Sequence, residues 1–216
     1  MPKKNIVKEF KENTYYHLYN RGVDKQRIFR NDEDYKIFLG YLKLYLMPVD
    51  LQGLTLQVAP SKKLKNFTEN VDLLSYCLIP NHFHLLVFQK NPNDISYFMK
   101  SLGVKYSMFF NKKYKRVGTL FQGAYKAVEV ESENQLLYLS KYIHRNPAGF
   151  DPAGWKEYKY SSYGNYLGLF KQAWVKTDLI LSYFSKTKLN NSYKSFVEET
   201  DERDTLTIKS VLLEEI

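Results

Sequence analysis

In "TYYHLYNRG", residues 14–22, β-forming residues run up to Gly22, which predicts a strand over residues 15–20. Side chains on a strand alternate between faces, so His17 shares one with Tyr15 and Tyr19. The period then changes. In "NDEDYKIFLGYLKLYL", Phe38, Leu42 and Tyr45 recur at helical spacing, Asn31 or Asp32 can cap the start, and Pro48 ends the run. "VDLLSYCLI" and "HFHLLVFQ" are two strand-like runs separated by Pro80 and Asn81, turn chemistry that predicts an antiparallel hairpin. "NDISYFMKSLGVKYSMFFNKKYK" reads as a helix capped by Asn93 or Asp94 and ending near Lys112. Ile95, Phe98, Met99, Leu102 and Tyr106 form its buried stripe. "GTLFQGAYKAVEVE" returns as an extended segment, and "SENQLLYLSKYIHRN" as a helix closed by Pro147.

The resulting order is strand, helix, strand, strand, helix, strand, then a further helix. It fits an α+β class, a ferredoxin-like sandwich with helices on one face of an antiparallel sheet. Residues 48–70 are irregular, and Lys62, Lys63 and Lys65 there read as a solvated loop in preference to a DNA contact. Residues 175–216 look helical and include the charged run "EETDERD".

Composition changes this picture in two ways. Lys and Arg outnumber Asp and Glu by 32 to 23, a formal net charge of +9, which points to a polyanionic partner, nucleic acid before a membrane surface. With 19 Tyr and 14 Phe, aromatics interleave with the cations, a pairing suited to base stacking beside phosphate contacts. One cysteine, Cys77, excludes an intramolecular disulfide and a Cys-rich zinc site. The charged start "MPKKNIVKEF" lacks the apolar block of a signal peptide, and no apolar run is long enough to span a bilayer. The expectation is a cytoplasmic, nucleoid-associated protein.

Candidate chemistry sits in "CLIPNHFHLLVF", residues 77–88. His82 and His84 project from one face of their strand, while Phe83 and Leu85 face the other way. Two imidazoles one strand repeat apart can hold a divalent cation, or can be partly buried histidines satisfied by backbone groups. The helix over 134–146 adds to this. Leu136, Leu139 and Ile143 form its apolar stripe, whereas Tyr138, Tyr142 and Asn146 fall on another face at spacings of four. A residue before proline is pushed out of the helical region, which puts Asn146 at the helix end, where its side chain can complete a metal site. Tyr142, one turn back, can point at whatever the metal holds.

"PNHFHLL" and "YIHRNP" together resemble the single-tyrosine HUH transposases (transposase IS200-like), specifically the REP-associated tyrosine transposase branch. "YYHLYNRGV", "FNKKYKRVGTLFQG" and "YKYSSYGNYLG" match further stretches of that pattern in order, so the resemblance spans residues 14–168. It implies a ferredoxin-like HUH domain over residues 1–170, with residues 171–216 left as a C-terminal helical extension. It also implies a metal-dependent, tyrosine-mediated DNA transposase and nuclease acting on single-stranded DNA. His82 and His84 match the HUH histidines, Tyr142 the nucleophile, and Asn146 the polar third ligand. The sequence departs from the family after the basic turn: Phe121, Gln122, Gly123 and Ala124 stand where Trp then Gly-Arg is common. His144, two residues from Tyr142, points well away from it on a helix.

The resemblance implies transesterification through a 5′-phosphotyrosine at hairpin (REP-like) DNA, with Mg²⁺ or Mn²⁺ as cofactor and a monomer or homodimer as the working form. Two histidine ligands tilt the cation toward Mn²⁺. Lys112, Lys113, Lys115 and Arg116, together with Arg21, Lys25 and Arg27, are the candidate phosphate contacts, and Tyr114 a candidate base-stacking residue. Two other readings stay open: a nucleic-acid-binding regulator that does not cleave, and a metal-dependent hydrolase that uses water. Should Tyr142 not be the nucleophile, Tyr138 is next.

Overall fold

The computed structural model describes residues 9–49 and 65–199; Lys62, Lys63 and the remainder of the charged run beyond Glu199 lie outside the described residues. Four strands form one antiparallel sheet: β1 (Thr14–Arg21), β2 (Val71–Ile79), β3 (His82–Gln89) and β4 (Lys126–Val130), ordered β2-β3-β1-β4. With α1 (Asp32–Leu46) following β1 and α2 (Asp94–Lys113) following β3, this is the expected ferredoxin-like arrangement.

Because β1 and β3 are both central, both of their faces are covered. One face carries Tyr16, Leu18, Phe83, Leu85 and Val87 against Phe38 and Leu42 of α1 and Phe98, Leu102 and Tyr106 of α2. That is the single helical layer the sequence predicts. A second layer lies on the opposite face, where α3 (Glu133–Arg145) packs Leu136, Leu139 and Ile143 against Leu74, Cys77 and Leu86. A bulge in β2 between Leu73 and Ser75 shifts the alternation, so Cys77, paired with His84, turns toward α3.

The helix starts follow local chemistry. Asn31 caps α1 in a capping box with Asp34. Asn93 occupies the cap position of α2 without a side-chain bond; the Ile95 amide donates instead to Gln89 Oε1 at 3.1 Å, tying α2 to the end of β3. Ser132 caps α3 through the Gln135 amide. The segment read as extended over 118–131 is a strand only from Lys126. Before it, Gly118 and Gly123 take positive φ of 94° and 148° and break the ladder after a single bridge from Gly22 to Phe121.

The hairpin turn at Pro80–Asn81 is also an anchor. The Pro80 carbonyl accepts from the Ile28 and Phe29 amides, and the Asn81 carbonyl from the Gly22 amide. Gly22 is required here, since a Cβ would collide with the Gln26 carbonyl. Residues 22–29 are thereby docked beside the first residue of β3, His82.

Residues 158–176 seal the exposed edge of β2. The Leu78 amide donates to the Tyr160 carbonyl and the Ser162 amide to the Tyr76 carbonyl, the Lys176 amide donates to Leu73, and the Tyr166 hydroxyl donates to the Leu74 carbonyl in the bulge. Beyond them are two short helices, α5 (Asp178–Leu181) and α6 (Tyr193–Glu198), which follow α4 (Tyr163–Tyr166). Ile180, Tyr193 and Val197 are buried in the α3-side core.

Asp34 ties α1 to α2. It is fully buried and accepts from the Arg30 amide (2.7 Å), Lys113 Nζ (2.7 Å from Oδ1) and the Tyr114 hydroxyl (2.8 Å). Burial alone would raise its pKa, but these three donors outweigh it and hold the carboxyl below the ordinary value. Asp34→Ala strands those donors and removes the capping box. We expect a loss of about 3 kcal/mol, read as a lower urea midpoint, against about 1 kcal/mol for Tyr114→Phe. Equal midpoints for Asp34→Ala and the wild type would refute this account.

Candidate functional site

On the α3 side of the sheet, β1 presents Tyr15, His17, Tyr19 and Arg21, and β3 presents His82, His84, Leu86 and Phe88; Tyr19 pairs with His84 and Arg21 with His82. The end of α3 comes down onto this surface. The ring of Tyr142 meets that of His84 edge-on, with centroids 5.5 Å apart, and Asn146 Nδ2 lies 3.4 Å from His84 Nε2. Asn146 also hydrogen-bonds His82 and Tyr142. One amide therefore touches both histidines and the tyrosine. Sequence spacing placed these four residues at candidate positions; the structure brings all four together.

Asn146 reaches this place differently from the expectation. Its φ and ψ of −52° and −36° remain helical, despite Pro147. The chain continues from α3 into a 3₁₀ turn, Asn146–Gly149, with proline in the first turn, where a missing amide hydrogen costs least. The helical path keeps Asn146 four residues, about one turn, beyond Tyr142 and on its face.

The hydrogen bonds constrain which ring nitrogens can accept. Asn81 Oδ1 is an acceptor lying 2.8 Å from His82 Nδ1, a contact that favours the proton on Nδ1 and a lone pair on Nε2. The Asn146 amide nitrogen similarly donates toward His84 Nε2. Both imidazoles are held neutral. Burial, aided by the charge of Arg21, pushes His82 down to about 4, and burial drives His84 well below its ordinary value. Among the described residues no three His, Cys, Asp or Glu side chains form a metal cluster. The donor set is instead two neutral imidazoles and one carboxamide, which fits a borderline divalent cation once the amide turns its oxygen inward. Burial raises the Tyr142 hydroxyl to about 12, opposed by its bond with Asn146.

Tyr138 is placed elsewhere, its ring against Phe196 of α6 with centroids 5.3 Å apart. His144 points away from Tyr142, as expected, into a buried network. Its Nε2 lies 2.8 Å from Ser162 Oγ and its Nδ1 2.7 Å from the Tyr193 hydroxyl, which also reaches Ser140 Oγ at 3.0 Å. Ser162 Oγ accepts in turn from the Tyr76 amide of β2. The helix carrying Tyr142 is thus pinned to the edge strand and to α6 by its neighbouring histidine.

The basic residues divide. Arg21 lies beside His82, its guanidinium held by Gln122 Oε1 at 2.9 Å. Lys25 and Arg27 are exposed in the 22–29 segment. Lys112 and Lys113 close the last turn of α2, where cations complement the helix dipole, and Lys115 continues it at a φ of +50°. Lys112 and Lys115 are exposed, whereas Lys113 and Tyr114 are engaged by Asp34 and Arg116 donates to Asn111 Oδ1. Lys65 stacks on Tyr97 at 4.3 Å.

Two residues at the site went unassigned in the sequence. Lys126 of β4 pairs with Tyr19 and lies 5.7 Å over its ring, on the site's face. His17 is fully buried with Nε2 2.9 Å from His84 Nδ1. Its shared face with Tyr15 and Tyr19 was readable; its contact with His84 needed the β1–β3 register.

Residues 59–146 match the family model described as "Transposase IS200 like". No curated protein matches this chain. Among solved structures, a REP-associated tyrosine transposase bound to a REP hairpin is 10% identical with a TM-score of 0.54, covering 89% of this chain and 97% of that one. This likeness shows the shared fold. A Deinococcus radiodurans structure described as a transposase is 18% identical with a TM-score of 0.39, covering 66% of this chain and 95% of that one. No described helix is long and apolar enough to cross a membrane.

The buried neutral histidines make stability acid-sensitive. His144, held to about 3 by burial, stays neutral in the fold, while an unfolded histidine protonates near 6.5. The unfolded chain therefore binds more protons below that value, and stability is lost as pH falls from about 6.5 toward 3. Each such histidine contributes a slope of up to about 1.4 kcal/mol per pH unit. We expect His144→Gln to be less stable than wild type at pH 7, with a shallower slope in urea titrations between pH 6 and 4. Parallel slopes would contradict the assignment.

Proposed function

We propose that this chain, whose residues 59–146 match the IS200-like transposase model, cleaves and rejoins single-stranded DNA at hairpin sequences, through a covalent 5′-phosphotyrosine at Tyr142. The observation that carries this reading is the convergence of Tyr142, His82 and His84 on the Asn146 side chain. A hairpin partner is favoured by the REP hairpin bound to the structural neighbour and by the chain's net charge of +9.

A divalent cation, Mn²⁺ or Mg²⁺, held by Nε2 of His82, Nε2 of His84 and the Asn146 amide oxygen would withdraw charge from a non-bridging oxygen of the scissile phosphate. The chain's own residues do the rest. Arg21 places a second positive charge next to His82. α3 holds the Tyr142 ring against His84, which limits the freedom its hydroxyl must lose before attack. As its oxygen bonds to phosphorus, the bond to the 3′ oxygen breaks. The products are a 5′-phosphotyrosine and a free 3′-hydroxyl, the tyrosine proton being balanced by the one the leaving oxygen gains. A DNA 3′-hydroxyl reverses the step without ATP, because the phosphotyrosine ester conserves the bond. A hydroxyl pushed up to about 12 is protonated at neutral pH, so attack depends on local withdrawal of that proton.

We expect a hairpin oligonucleotide with Mn²⁺ to give a denaturation-resistant protein–DNA adduct on gels. Tyr142→Phe should abolish the adduct while leaving hairpin affinity within about threefold of wild type, the hydroxyl adding little to ground-state binding. Cleavage without any adduct would indicate water as the nucleophile, and an adduct persisting in Tyr142→Phe would disprove the tyrosine assignment.

Phosphate gripping by Arg21, Lys25, Arg27, Lys112 and Lys115 predicts a steep salt dependence. Removing one contacting cation should reduce the slope of log K against log salt by about 1. Lys113→Ala, whose ammonium is committed to Asp34 and Glu33, should change it less. A slope unaffected by every one of the exposed substitutions would place the DNA on another surface.

A further inference from the structure

We infer that His17 is a positioning residue for the proposed metal site, setting the tautomer and ring orientation of His84; this deepens the function proposed above and rests on it. The two rings are in direct contact. His17 Nε2 and His84 Nδ1 are 2.9 Å apart, both rings are fully buried, and their planes differ by 21°. A hydrogen bond at that distance needs one proton between the two nitrogens. A neutral imidazole has one N–H. For His84 Nε2 to face Asn146 with a lone pair, its proton must reside on Nδ1, which then donates to His17 Nε2. His17 must therefore accept at Nε2 and carry its own proton on Nδ1.

Without that acceptor, His84 could as well protonate Nε2, and the nitrogen aimed at Asn146 would be a donor unable to bind a cation. Asn81 performs the same service for His82, accepting from Nδ1 at 2.8 Å. The two histidines are thus each oriented by a partner on the far side of the ring, one from the hairpin turn and one from the adjacent strand. Both partners are held by backbone hydrogen bonds. His17 sits in the middle of central strand β1, and the turn carrying Asn81 is held by the Gly22 amide.

The test is Mn²⁺ binding to the metal-free full chain, followed by calorimetry, alongside histidine tautomer assignment by ¹⁵N NMR on the same protein without metal. We expect wild-type His84 in the Nδ1–H form. His17→Phe should lose 10- to 100-fold in Mn²⁺ affinity, and His17→Gln, whose amide oxygen can still accept, should recover part of it. A purely packing role would make Phe the better replacement and reverse that order. Unchanged affinity in His17→Phe, or an Nε2–H tautomer for His84 in the wild type, overturns the inference. The tautomer measurement needs no variant to fold. A wild-type chain that binds no Mn²⁺ overturns the metal site itself, and is distinguished from failure of the His17 assignment because the tautomer is read independently.

Discussion

His84 is fully buried on a central strand, and a buried imidazole is stable there only if it is neutral and its two nitrogens are matched to partners. Much of the surrounding structure meets those conditions. β1 supplies His17 on one side of the ring, and α3 supplies Asn146 on the other. The alternation of β3 sends Phe83 and Leu85 into the α1–α2 core, so the same strand that is anchored by apolar packing presents His82 and His84 to α3. A one-residue slip of β3 would exchange these sets and put two imidazoles among the phenylalanines. The register is thus specified by the core and inherited by the site.

Holding α3 at the right height over the sheet is a second requirement, met from behind the site. Leu136, Leu139 and Ile143 supply apolar contact, which is non-directional and tolerates small rotations of a helix. The His144 network is directional. It runs from Tyr76 of β2 through Ser162 and His144 to Tyr193 and Ser140. Residues 158–176 close the β2 edge, and α6 buries Tyr193 and Val197 against α3. Segments remote in sequence from the two histidines therefore fix the angle at which Tyr142 arrives.

What could be read from the sequence follows the range of the forces involved. Period-two and period-3.6 patterns are local, and they located β1, the β2–β3 hairpin, α1, α2 and α3. They also placed His82 with His84, and Tyr142 with Asn146, on single faces. The β2 bulge and the second layer on the sheet depend on contacts between distant segments, which no local pattern encodes. The same holds for His17: its face was legible, but its partner depends on a diagonal across paired strands. The basic turn shows the opposite limit. Lys113 and Tyr114 looked like nucleic-acid contacts because charge and aromaticity are visible locally, whereas the buried Asp34 that engages them lies about 80 residues earlier in the chain.

The choice between the two tyrosines of α3 shows how a helix end resolves what spacing leaves open. Tyr138, Tyr142 and Asn146 are equally spaced, so periodicity alone treats the tyrosines alike. A four-residue step advances about 6 Å along a helix, and only one position can lie level with a given point on the sheet. Asn146 meets His84 at the last turn, which puts Tyr142 at the histidines and lifts Tyr138 a further turn away, onto Phe196. The helical conformation of Asn146 is therefore consequential. Had Pro147 forced its neighbour into an extended conformation, the amide would have left the face it shares with Tyr142. A proline that begins a 3₁₀ turn lets the chain keep its helical path one residue longer, and that residue joins the tyrosine to both histidines.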